Sequence, residues 1–149
     1  MKKIASFLIL SLASAATAQS LAPAQSSRTN GAPAFAARKL TRAEFDALRA
    51  NPAGLLVIDV RRPDELASIG GFPAYLSIQA AELEKSLTWI PKDRVIVTVS
   101  NHAARAGRAA DLLVKNGFNV AGAIGAQDYE AEGGTLVKIT PPAPRPASN

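Results

Sequence analysis

The sequence predicts an α/β domain built on a small, mostly parallel central sheet with helices on both faces. Three observations carry that expectation. Short continuous apolar runs rich in β-branched residues occur as GLLVIDV, DRVIVTVS and FNVAGAI; such runs suit strands buried on both faces, which are usually parallel. Segments with helical spacing lie between them, and strands alternating with helices favour a covered parallel sheet. Asp59 stands at the carboxyl end of the first run and Ser100 at that of the second. In such sheets ligands bind outside the carboxyl ends of the strands.

The elements follow in order. KLTRAEFDALRANP opens on a helix start, with Thr41 and Glu44 as a capping box and Leu40 and Phe45 as the hydrophobic staple around it. Phe45 and Leu48 share one face of that helix, and Pro52 and Gly54 end it. GLLVIDV is the first strand. RRPDELASIGGFPAY reads as loop and turn, with two prolines and a glycine pair. LSI forms a short strand. QAAELEKSLTWI reads as a helix with Ala81, Leu83 and Leu87 inward. DRVIVTVS is a buried strand, and AARAGRAADLLVKNG a helix stopped at Asn116 and Gly117, the left-handed cap position. FNVAGAI is the next strand, GAQDYEAEGG a short helix or turn, and TLVKI a final strand. Tyr129 and Trp89 are expected in the core. Arg108, Asp111 and Lys115, three and four apart, are expected to form a solvated, ion-paired helix face.

The flanks differ in character. Residues 1–18 begin with Lys2 and Lys3, continue in an apolar run and end in Ala-Thr-Ala. That is the three-part pattern of a secretory signal peptide, with an apolar run too short to span a bilayer. Cleavage is expected after Ala18, leaving no membrane span and a periplasmic or secreted chain. Residues 19–37 are a flexible segment and residues 140–149 a Pro-rich tail, so the folded unit is expected over residues 38–139. The formal charge of +5 falls to about +3 without Lys2 and Lys3, with no basic run. That balance excludes a nucleic-acid partner. There is no cysteine and one histidine. No disulfide, catalytic thiol or cofactor is therefore expected. No metal site is expected either, since the carboxylates are scattered pairs such as Asp64/Glu65 and Glu130/Glu132.

VTVSNHAARAGRAADLL gathers the candidate site. A strand-to-helix junction there brings together the hydroxyl of Ser100, Asn101, His102 and the backbone N–H groups of Ala103, Ala104 and Arg105. Ser100 as a nucleophile needs a base in reach and a group orienting that base; His102 is near, but no carboxylate is obviously placed to orient it. His102 therefore reads as an exposed loop residue. Arg105 is either a helix-surface charge or an anion contact at the helix's first turn. Asp59 is expected to accept loop N–H bonds. Arg61 is expected to pair with an acid such as Glu65, with anion binding as the alternative.

On these residues the unit resembles a rhodanese-like domain along nearly its whole length. VIDVRRPDEL is similar to the family's strand-end Asp-Val-Arg, with Glu65 at the acidic position before the next turn. GGFPAYLSI resembles the Gly-His-Ile-Pro-Gly-Ala stretch, with one extra residue before it. NVAGAIGAQDYEAEGG resembles the closing Val…Gly-Gly…Trp…Gly pattern, with Gly125 kept, Ala126 for the second Gly and Tyr129 for Trp. The family's loop reads Cys-x-x-Gly-x-Arg-Ser; Ser100, Ala103, Arg105 and Ala106 hold its four named places, and Gly71 holds the family's His. If the loop needs positive φ at Ala103, the added β-carbon strains it by about 1 kcal/mol.

The resemblance implies a rhodanese-like fold and a changed chemistry. Active members take a sulfane sulfur from a donor such as thiosulfate onto the Cys and pass it to a thiophilic acceptor. That needs a thiolate, stabilised by backbone N–H groups at a helix N-terminus. A serine hydroxyl stays protonated at neutral pH and is a hard, poor partner for sulfane sulfur. The expectation is therefore an exported, catalytically inactive, monomeric domain that binds a small anion or a protein partner through residues 100–105, supported by Asp59, Arg61 and Glu65. The alternatives are sulfur transfer by a non-standard route and Ser-based hydrolysis.

Overall fold

The computed structural model describes residues 35–140. The signal-type segment, most of the 19–37 segment and all of the Pro-rich tail after Thr140 lie outside the described residues. The elements are α1 (Arg42–Arg49), β1 (Leu55–Asp59), α2 (Pro63–Ile69), β2 (Leu76–Ser77), α3 (Leu83–Ser86), β3 (Val95–Ser100), α4 (Ala103–Lys115), β4 (Val120–Gly125) and α5 (Ala126–Ala131). Short 3-10 turns follow α1 at Pro52–Gly54 and α3 at Leu87–Trp89. The four strands pair in the order β2-β1-β3-β4, all parallel.

The predicted caps form. The Glu44 N–H donates to Thr41 Oγ1 at 3.3 Å, and the Thr41 N–H donates to the Glu44 carboxylate at 2.9 Å. Asn116 caps α4, and Gly117 takes φ +78° just beyond it.

Strand side chains alternate between two cores. Val57, Val97, Val99 and Ile124 meet Phe45 of α1 and Tyr129 of α5 on one face. Ile58, Val60 and Ile96 meet Leu83 of α3 and Leu113 of α4 on the other. The small residues Ala106 and Ala110 let α4 lie close over Ala123 of β4.

The outer edge of β4 is covered. Leu40 N–H donates to the Ala123 carbonyl, and Ala123 N–H to the Arg38 carbonyl, both at 2.8 Å. This closes a row of groups that would otherwise invite another strand. The pairing explains Gly122, whose φ is +156°: a β-carbon there would lie 2.5 Å from the Arg38 carbonyl oxygen.

The fold corrects five expectations. The stretch taken as loop contains α2, because Pro63 sits at the first helical position, where a missing N–H costs nothing. The Glu65 carboxylate also receives the Arg62 N–H at that end. QAAELEKSLTWI is helical only from Leu83: the chain before it is held along β1 by Ile78 N–H to Asp59 O and Ala80 N–H to Val60 O. Ala81 is consequently exposed, Leu83 buried and Leu87 half-buried.

Trp89 is 84% exposed rather than in the core, because the 3-10 turn it ends buries Ile90, the residue after it, in its place. TLVKI makes no strand; it touches Gly71 through a two-bond antiparallel bridge at Val137. Among the described residues Arg108, Asp111 and Lys115 form no ion pair. Asp111 instead accepts the N–H groups of Ala36 and Ala37 at 2.8 and 2.7 Å.

Candidate functional site

Ser100 is the last residue of β3 and is fully buried. Its hydroxyl donates to the His102 carbonyl at 2.5 Å and accepts the Ala106 N–H at 2.9 Å. Those two backbone groups are the pair an α-helix would otherwise join in its first turn. Ser100 therefore bridges the start of α4, with both hydrogen-bonding roles engaged. Next to it, Thr98 Oγ1 donates to the Ala106 carbonyl at 2.8 Å and pins the same turn to the sheet. Ala103 begins α4 in ordinary helical geometry; no non-glycine among the described residues has positive φ, so the strain considered for Ala103 does not arise.

Glu65 gathers the loop. Its carboxylate accepts both terminal nitrogens of Arg105 at 3.0 and 2.7 Å, Asn101 Nδ2 at 2.6 Å and the Arg62 N–H at 2.9 Å. Arg105 is thus occupied in a two-point fork with a carboxylate, the geometry that guanidinium favours. These bonds hold the Glu65 carboxyl down at about 2: the Arg105 bonds lower it most, burial works against them, and the Arg62 N–H adds to the lowering. Ala104 is exposed on the first turn of α4, and Asn101 keeps a buried Oδ1 without a partner among the described residues.

A pH prediction follows from Glu65. A carboxyl whose folded value lies below its unfolded value near 4.5 contributes stability in full above 4.5 and loses it as the pH falls toward 2. The Glu65→Gln chain is expected to be less stable at neutral pH by about 1–2 kcal/mol, between the limits for exposed and buried pairs. That gap should shrink steadily as the pH is lowered through this window. Urea unfolding of both proteins across the window measures it, and a gap that does not change with pH would show that the carboxylate charge is not the source.

At the end of β1, Asp59 and Arg61 are both fully buried. Arg61 Nε lies 2.9 Å and Nη2 2.7 Å from the two Asp59 carboxylate oxygens, and the Arg61 N–H also donates to Asp59 at 3.1 Å. The expected loop N–H bond to Asp59 is present. The partner expected for Arg61 was Glu65. The correction has a simple cause: residues two apart in extended chain point to the same face, and Glu65 is turned toward Arg105.

His102 presents a ring that is 70% exposed, with Nδ1 2.9 Å from Asp128 Oδ1. Asp128 also pairs with Lys39 at 2.8 Å. Burial works to raise the Asp128 carboxyl, and the bonds from His102 and Lys39 outweigh it, leaving it below its ordinary value. A carboxylate therefore does orient the ring, which the sequence reading did not find. The Ser100 hydroxyl meets the backbone carbonyl of His102 and not the imidazole, so the two do not form a nucleophile and its base. Among the described residues no group of three or more His, Asp or Glu side chains is arranged to hold a metal ion. No helix there is long and apolar enough to cross a membrane.

No family model matches the chain, and no curated protein matches it. Solved structures do. A rhodanese-related protein from Thermoplasma volcanium is 26% identical with a TM-score of 0.60, the match covering 68% of this chain and 99% of that one. Reduced CoADR-RHD from Bacillus anthracis is 28% identical with a TM-score of 0.58, over 64% of this chain and only 17% of that one. A thiosulfate sulfurtransferase from Pseudomonas aeruginosa is 23% identical with a TM-score of 0.56, over 68% of this chain and 20% of that one.

Proposed function

The chain is a rhodanese-like domain that carries no cysteine, and we propose that it is an exported binding or regulatory module rather than a sulfurtransferase. The observation that carries this reading is Ser100. It stands where the family's reactive Cys would, is fully buried, and engages its hydroxyl with the His102 carbonyl and the Ala106 N–H. A group so placed maintains the loop, and its proton is given to a backbone carbonyl, which is no base that could remove it. Residues 1–18 direct the chain to the periplasm or the medium. The ligand is a protein partner or a small anion. An anion at the first turn of α4 has to share Arg105 with Glu65, which favours the protein.

Ser-based hydrolysis has the His102–Asp128 pair in its favour. Against it stands Ser100, whose hydroxyl bonds the His102 carbonyl and the Ala106 N–H and makes no hydrogen bond to the ring.

The test is thiocyanate formation from thiosulfate and cyanide by the purified chain and by Ser100→Ala. No turnover above the uncatalysed rate is expected from either. Turnover that survives Ser100→Ala would mean an enzyme of another design; turnover that Ser100→Ala removes would make the hydroxyl catalytic. Thermal unfolding with added thiosulfate separates the ligand classes, because a ligand of the native state raises the midpoint. An unchanged midpoint is expected.

A further inference from the structure

Along α4, bordering the loop at Arg105, lies a shallow hollow of about 250 Å³ lined by Ala80, Leu83, Arg105, Arg108, Ala109 and Leu112. Its floor is aliphatic. Its rim on the α4 side is cationic, because Arg108 and Leu112 share a face and Lys115 continues it one turn on. Arg108 and Lys115 are both exposed. Among the described residues neither forms an ion pair, whereas most of the other arginines and lysines do. On the same helix layer Trp89 stands 84% exposed at the end of the segment that starts at Leu83.

The size and the charge narrow the occupant. Small-molecule sites run to about 300–1,000 Å³, so the hollow suits one or two anchor side chains of a larger partner. Every acidic residue of the chain lies within residues 44–132, so the segments before and after the described residues carry no carboxylate side chain to meet Arg108 and Lys115. The segment of the opposite wall is mixed in charge: Glu82 and Glu84 flank Leu83 in the sequence, and Lys85 follows, paired with Glu82 at 3.1 Å. A rim cationic along α4 and mixed in charge beside Leu83 does not match a uniformly negative membrane or nucleic acid. We infer that the α3–α4 face docks an amphipathic segment of a partner protein, with an apolar side chain in the hollow and carboxylates facing Arg108 and Lys115. This deepens the binding reading above and rests on it; helix-in-groove recognition by spaced apolar anchors supplies the physics.

Panning short random peptides displayed on phage against the purified chain tests the inference. Enriched peptides are expected to combine acidic residues with a large apolar residue. Their affinity should fall at least about tenfold, about 1.4 kcal/mol, in the double variant Arg108→Glu, Lys115→Glu. It should hold in Lys138→Glu, a reversal away from α4. Circular dichroism of the double variant checks that it remains folded. The inference is overturned if no peptide is enriched, if the enriched peptides are basic or neutral, or if both reversals weaken binding equally. It is also overturned if the wild-type chain self-associates through this face, or binds anionic phosphatidylglycerol vesicles in place of peptides. Turnover in the thiocyanate assay would overturn the binding reading itself, whatever the peptides do.

Discussion

Replacing Asp59 with alanine is expected to lower the unfolding free energy by about 3–5 kcal/mol, the range for removing one partner of a buried ion pair. The loss is large because Arg61 remains behind. Its guanidinium is fully buried, and Nη1 already lacks a partner among the described residues. Without Asp59 its remaining short polar contacts, at 2.7–2.9 Å, disappear as well. A domain of this size is stable by about 5–15 kcal/mol, so the variant should unfold at a much lower urea concentration. The paired replacement Asp59→Leu, Arg61→Met should be far milder, since neither charge is then stranded. Urea midpoints of the single and double variants decide the point. A double variant as unstable as the single one would show that the pair's geometry, and not the stranded charge, is what matters.

Phe45→Ala is the second large effect, expected at about 3–5 kcal/mol for deleting a buried aromatic side chain. Phe45 is fully buried, its ring edge-on to Phe72 at 4.7 Å and to Tyr129 at 6.0 Å, with Phe72 and Tyr129 closing the triangle at 5.1 Å. Arg49 lies 5.6 Å from the centres of both the Phe45 and Phe72 rings. Tyr129 is on α5, beside Asp128, so emptying this space loosens the helix that orients His102. Denaturant unfolding of Phe45→Ala and Phe45→Leu measures the effect. Leucine should recover about half of it, because it refills much of the volume. Equal losses in both would show that the edge-on aromatic contacts, rather than the volume, set the stability.

The fold was legible where one local signal settles one element. Thr41 and Glu44 mark the start of α1, Asn116 and Gly117 the end of α4, and three β-branched runs the longer strands. It was illegible where tertiary pairing overrides a local signal. Val137 belongs to a strand-like run that makes only a single bridge, to Gly71, and Ala81 to a helix-like run whose beginning is held along β1. α2 is a different case: Pro63 was read as a breaker, yet the acids that follow it mark a helix start.

The positions of the site were visible, but their partnerships were not. Asp128 is 26 residues from His102, and Glu65 is 40 from Arg105. Only the fold brings such pairs together. The Asp59–Arg61 pair is closer in sequence, and its two-residue spacing at a strand end puts both on one face, yet the expectation for Arg61 was Glu65, so this partnership too came from the fold.

The Ser100 bridge has a consequence for how this domain meets oxidants. Met1 is the only sulfur-containing residue in the chain. From residue 2 onward there is no thiol to become a sulfenic acid, disulfide or glutathione adduct, and no thioether to become a sulfoxide. An oxygen holds the turn where a relative would place a redox-active atom, so the first turn of α4 keeps the same bonds in reducing and oxidising surroundings alike.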